Sequence, residues 1–315
     1  MAIQRELWQN TIIEGLFADN SFMSKAVNDD MYVNMGKKVH IPNAGAPSAV
    51  EIDRSSLPAT VKTRTDVDVE YSLNELTTDP IRIPHAETVE LSYSKRNSVI
   101  SQDRLQLIEK AAEQMLYNWA PDSSHFVRTT GTEKVKAHTE SATGYRKALV
   151  KADVLALMTK FNADNIPQEG RYLLLDAYMY AQLLDDLTEG DQRAFFASAD
   201  AQRGILGKLF SFNVMQRSQV LRYATGGTLK KWSVSGATSD NADGLVSGAT
   251  SDNAAGLAWQ TNSLSRALGE VKMFDSTDNP LYYGDIYSFL IRVGGTIRRK
   301  DKKGVYALVQ DEAGE

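Results

Sequence analysis

Between residues 66 and 73 the chain alternates without a break: Asp66, Asp68, Glu70 and Ser72 are polar, and Val67, Val69, Tyr71 and Leu73 between them are apolar. A period of two puts one set of side chains on each face of an extended chain, which marks a half-buried strand. The stretch before it constrains the fold most. Val39 and Ile41 begin a partner strand, and a polar loop spanning 43–65 separates the two, with turn formers at Pro42, Asn43, Gly45, Pro47 and Pro58. Such a connection is too long for a tight hairpin and has little apolar matter with which to bury itself. It predicts a projecting two-stranded flap. Ile81, Ile83, Val89, Leu91 and Tyr93 continue the β signal.

The period then changes. Leu105, Ile108, Ala112, Met115 and Trp119 fall on one helical stripe, predicting a helix over 98–119 that is capped by Ser98 or Ser101, has Asp103 near its positive end, and is stopped by Pro121. Residues 125–148 are polar and weakly patterned. A second helix is expected at about 150–163, a short buried strand at 172–175 and a third helix at about 177–188, an order that suggests a compact α/β lobe. Leu7, Ile12, Leu16 and Phe17 give the 1–36 segment part of a helical stripe, but Asn20, Asn28 and Asp29 interrupt it, so it is read as an arm that needs a neighbour to lie on. The twelve-residue string from Val234 to Leu245 recurs from Val246 to Leu257 with Ala255 in place of Asp243, and is read as a duplicated surface hairpin or loop. Residues 281–310 are strongly β, with a bend or bulge expected at Gly294-Gly295.

Chemical signatures are sparse. There is no phosphate-binding glycine loop, dinucleotide fingerprint, nucleophile elbow or zinc-binding His-Glu-x-x-His helix in the 315 residues. The four histidines, His40, His85, His125 and His138, are not at ligand spacing. The chain has no cysteine, which excludes disulfides and thiolate metal sites. Asp240 to Gly244 lack the alternating rhythm of a calcium loop and read as a turn. Asp185, Asp186, Glu189 and Asp191 read as a solvated helix end. The net charge of −5 gives no whole-chain support for nucleic-acid binding; the one basic run is Arg298, Arg299, Lys300, Lys302 and Lys303, read as a polar hairpin tip or a DNA-facing patch. The amino terminus lacks the pattern of a secretory signal, and no apolar stretch approaches membrane-spanning length, so synthesis in the cytoplasm without a membrane partner is expected. No catalytic, cofactor or metal site is assigned.

The order of arm, long β flap, long helix, α/β lobe and returning β tail resembles the major capsid proteins of tailed phages, the Hong Kong 97-like fold. Val39 to Gly45 looks like the start of that family's extended loop, Ser98 to Trp119 its spine helix, Asn165 to Leu175 with Tyr178 and Tyr180 an axial-domain phrase, Gly204 to Val214 the next, and Tyr283 to Arg298 the closing segment. The resemblance implies an α+β fold with an N-arm at 1–36, an extended β loop at 37–96, the spine helix and peripheral domain at 97–148, an axial α/β domain at 149–280 carrying the repeat at 234–257 as an insertion, and a returning β segment at 281–315. It also implies a coat protein that assembles from hexamers and pentamers into an icosahedral head around double-stranded DNA, located in the virion, with scaffolding and portal proteins as partners and non-specific contact to DNA. Leu7, Trp8, Glu51, Asp53, Arg54, Lys62, Arg64 and Asp66 are then candidate inter-subunit contacts. The alternatives are a nanocompartment (encapsulin-like) shell of the same fold, an α/β enzyme, and a tail or adhesin subunit; the long helix argues against the last.

Overall fold

The computed structural model describes residues 21–33, 37–43, 50–55, 58, 61, 63, 66–84, 94–136, 138, 143–230, 252–269 and 272–313. The long helix runs Ser94–Trp119, about a turn earlier than predicted, so Ser98, Ser101 and Asp103 lie within it and not at its start. Asp103 is held above the ordinary carboxylate range by burial. The helix ends one residue before Ala120-Pro121, where the missing proline N–H forbids another turn. Leu107, Ala111, Ala112, Met115, Leu116 and Trp119 form its buried stripe; the side chains of Leu105 and Ile108 lie outside the described residues.

Two sheets flank this helix. In the six-stranded one, the strand Gly284–Ile297 is the axis: it pairs antiparallel with Leu264–Leu268, Lys272–Asn279, Asn74–Thr77 and Ile81–Pro84. Tyr287, Phe289, Ile291 and Val293 are its buried face, as their alternation predicts. Gly294 and Gly295 make no bulge. They stay in register with Ala267 and Arg266, and the register shift in this sheet falls between Ser276 and Asn279 instead. Glycine is needed at 295 for closeness: a Cβ there would lie 2.7 Å from Met115 Sδ and 2.8 Å from Trp119 Nε1.

The eight-stranded sheet is mixed. Its centre, Asn253–Gln260, is buried at every residue, with Val305–Val309 antiparallel along one edge, and Arg171–Leu175 and Leu221–Tyr223 pairing with it as well. Phe212–Gln216 lies parallel to Arg171–Leu175, and Phe126–Arg128 parallel to Val305–Val309. The helices Lys151–Ala163, Ala177–Asp186 and Glu189–Ala197 pack on this sheet through Leu157, Phe161, Met179, Leu183 and Phe195. The helix expected at about 177–188 ends at Asp186, where Leu187 is extended, and a further helix that Thr188 caps follows it beyond the expected range.

Three sequence-based expectations change. The second repeat copy is not surface loop, because Asn253 to Leu257 form the start of the central strand; residues 231–251, including the first copy, lie outside the described residues. Sheet membership crosses the expected 149–280 and 281–315 boundaries: Leu264–Leu268 and Lys272–Asn279 join the sheet of Gly284–Ile297, and Val305–Val309 returns to the other sheet. The second half of the arm has a home on its own subunit. Phe22 and Met23 are buried, Phe22 sits edge-on to Trp119 with ring centroids 6.0 Å apart, and Val27–Asn28 adds a parallel strand to Leu264–Leu268. Apolar residues at 22, 23, 26 and 33 give no regular stripe, so periodicity could not reveal this docking.

Candidate assembly surfaces

The flap is built as its alternation predicts. Lys38–Asn43 pairs antiparallel with Val67–Ser72 in the register Val39 to Tyr71 and Asn43 to Val67. At its root, Val39, Tyr71 and Leu73 are buried with Val33 and Ala267 in a small core of their own. Towards the tip burial disappears. Val67 is 42% exposed, Val50 93%, Ile52 87% and Val61 94%. Full exposure of three branched apolar side chains is costly in water and is relieved by a partner surface. Of the candidate contact residues, Glu51 and Arg54 pair with each other at 3.3 Å, across a turn in which Asp53 has φ of 49°. Asp66 is exposed just before the strand; Leu7, Trp8, Lys62 and Arg64 lie outside the described residues. Lys38 and His40 both face Glu70, at 3.5 and 3.4 Å, on the exposed face of the flap.

The basic run is not a hairpin tip. It is the link by which the chain leaves the six-stranded sheet at Ile297 and joins the eight-stranded sheet at Val305. Carboxylates meet four of its five cations: Arg298 faces Asp29 at 3.4 Å, Arg299 Asp301 at 2.8 Å, Lys302 Asp122 at 2.7 Å and Lys303 Asp164 at 2.9 Å. Lys300 is exposed. The hydrogen bond from Lys302, helped by Ser124 and His125, holds Asp122 well below the usual carboxylate range. Arg299 lowers Asp301. Burial would raise Asp164, but hydrogen bonds from Tyr306 and Lys303 outweigh it and leave it lowered. Burial and the Asp164 carboxylate raise the Tyr306 hydroxyl in turn.

These carboxylates bind protons less tightly when folded than when unfolded. Their contribution is therefore present above about pH 4 and lost as pH falls through their lower folded values. The expected result is a link that loosens in acid before the strands beside it. Hydrogen exchange, corrected for its intrinsic pH dependence, should show residues 298–303 losing protection below about pH 4 while Val305–Val309 keeps its own. Equal behaviour of the two segments would contradict the role given to these pairs.

Among the described residues, reactive groups do not converge. His138 Nδ1 lies 3.3 Å from Asp176, its Nε2 3.0 Å from Gln182, and Asp176 caps Ala177–Asp186 by accepting from the Met179 N–H at 2.6 Å. His125 Nδ1 is 3.1 Å from Asp122; His85 lies outside the described residues. Asp186 accepts from the Lys151 N–H at 2.6 Å and Asp191 from Lys151 Nζ at 2.7 Å, so these carboxylates hold the start of Lys151–Ala163 rather than face each other. A cleft of about 580 Å3 lies between the long helix and residues 75–81 and 220–221, but its lining has no histidine, and Lys110 there is tied to Glu113 at 2.8 Å. Among the described residues no three His, Asp or Glu side chains gather as a metal site.

Sequence reasoning missed a set of buried arginines. Arg171 is fully buried, donates to Asn162, Ser211 and the Pro167 carbonyl, and lies over the rings of Phe161 and Phe212. Arg222 faces Asp252 at 3.4 Å, and Arg146 donates to Asn253 at 2.5 Å. An arginine inside an otherwise apolar strand, as in Leu221-Arg222-Tyr223, was the available signal.

No protein-family model matches the chain, and no curated protein does by sequence. Solved structures do. The capsid of Ralstonia phage GP4 superposes with a TM-score of 0.60 at 11% identity, over 92% of this chain and 88% of that one. The chain has the fold of tailed-phage capsid subunits. The head structure of Helicobacter pylori bacteriophage KHP40 gives a TM-score of 0.59 at 12% identity, covering 92% and 88%. The virus-like particle of Pyrococcus furiosus gives 0.51 at 10% identity, covering 97% and 99%.

Proposed function

We propose that this chain is the major coat protein of a phage head, a non-enzymatic subunit whose copies form hexamers and pentamers and close into an icosahedral shell around double-stranded DNA. One observation carries the reading: a flap rooted in its own subunit ends in a bare apolar tip, with Val50, Ile52 and Val61 each more than four-fifths exposed. A monomer gains nothing from such a tip, whereas a shell repeats one contact by symmetry and gains from it at every copy. The segment before Ser21 is proposed as a second reach towards neighbours, with Leu7 and Trp8 as its apolar contacts. Scaffolding and portal proteins are proposed partners, and the particle forms in the host cytoplasm. Contact with DNA at Arg298 to Lys303 is proposed to be non-specific and weak, since intramolecular carboxylates already meet most of these cations.

A second reading, a nanocompartment shell, is supported by the Pyrococcus particle, which shares the fold across nearly its whole length. Negative-stain imaging of the purified full chain tests both. Closed shells are the expected result, and a protein that stays monomeric at every concentration would overturn the proposal. Particles formed in cells that carry protein cargo and no DNA would favour the compartment.

A further inference from the structure

The two copies of the repeat differ at one position, Asp243 in the first and Ala255 in the second. The second copy enters the centre of the eight-stranded sheet. Its Asp252 faces Arg222 at 3.4 Å and Lys230 at 3.2 Å, and its Asn253 accepts from Arg146 at 2.5 Å, so the strand begins on a buried polar anchor. The first copy carries the same Asp-Asn-Ala at 240–242, so that anchor cannot tell the copies apart. Two later positions can. Ala255 is 1% exposed and pairs with Leu221 on one side and Val309 on the other, a place where an aspartate would be stripped of water beside apolar neighbours. Trp259, two residues beyond the second copy and fully buried against Tyr172 and Trp119, would be replaced in the upstream register by Ser247, two residues beyond the first copy, which would leave most of the indole's volume empty.

We propose that the repeat is a duplicated strand start held in one register by Ala255 and Trp259, with Asp243 and Ser247 excluding the upstream copy. One twelve-residue unit is then dispensable to the folded subunit, and the link between Lys230 and Asp252 is a site where whole units can be lost or gained. Strand geometry permits this. Lys230 pairs with Arg222 and Arg222 with Ala254, so Lys230 and Ala254 are two strand spacings apart and the ends of the link, Lys230 and Asp252, lie about 12 Å apart on the diagonal. Twenty-one residues join them; the nine left after removal of one unit reach up to about 30 Å.

Two variants of the full chain test the proposal, both read on the soluble subunit and so independent of whether it builds shells. Deletion of residues 236–247 is expected to leave amide protection in Asn253–Gln260 and Val305–Val309 unchanged and to move the melting temperature by less than about 3 °C. Lost protection, or a fall of more than about 10 °C, would overturn dispensability. The second variant, D243A/V246A/S247W/G248Q, gives the upstream copy the same continuation as the downstream one. It is expected to divide protection between 241–248 and 253–260, each segment showing a slow and a fast population by mass spectrometry. Protection confined to 253–260 in that variant would show that these residues do not choose the register.

Discussion

A chain lacking residues 46–62 is expected to fold, stay soluble and fail to close shells. The folding half of this follows from the division of burial along the flap. Val39, Tyr71 and Leu73 lie in a core at its root, whereas Val50, Ile52 and Val61 touch none of it, so among the described residues the deletion removes no core side chain. Six residues would remain between the paired Asn43 and Val67, enough for an ordinary hairpin loop. The assembly half follows from what is lost, a bare apolar tip with Glu51 and Arg54 beside it, repeated at each contact of the shell. Size-exclusion chromatography should show the subunit intact, with melting close to that of the full chain, and electron microscopy should show no closed particles. Normal particles would remove the flap from the assembly mechanism, and an unfolded product would show that the tip is part of the fold.

The second large effect concerns stability. Trp259→Ala is expected to cost about 3–5 kcal/mol, a large share of the roughly 5–15 kcal/mol available to a folded domain. Trp259 stacks on Tyr172 at 5.7 Å, meets Trp119 at 6.0 Å and donates its indole N–H to the Lys25 carbonyl at 3.0 Å. One side chain thus joins the opening segment, the long helix and the central strand. Its removal leaves a cavity and an unpaired Lys25 carbonyl together. Urea unfolding followed by circular dichroism should show the midpoint falling without a change of slope. A loss below about 1 kcal/mol would show that the surrounding side chains collapse to fill the space.

What could be read in advance was what depends on near neighbours in the chain. Val67 to Leu73 alternate because one face meets a core, and Ala112, Met115 and Trp119 recur because one helical face does. Both elements appear where the pattern put them, apart from the first turn of the helix. Distant partners hid the rest. Asp252-Asn253-Ala254-Ala255-Gly256 has the composition of a loop, and becomes core because Arg146 and Arg222 reach it from far along the sequence. Phe22 and Met23 look like part of a free arm until Trp119 and Trp259 are brought beneath them. Gly294-Gly295 suggested a bend because a glycine pair says only that a side chain is absent, not what fills its place. Of the candidate assembly surface, the long polar loop pointed to a projecting flap but not to the bareness of Val50, Ile52 and Val61.

The main chain passes between the two sheets three times, between Pro84 and Phe126 by way of the long helix, at 261–263 and at 298–304, and the opening segment is tied to both sheets. Opening the sheets like a hinge would strain all of that stitching and break the tryptophan contacts between them. A chain stitched in this way is expected to tilt and slide as a single tile, since parting its two halves would cost every contact that joins them.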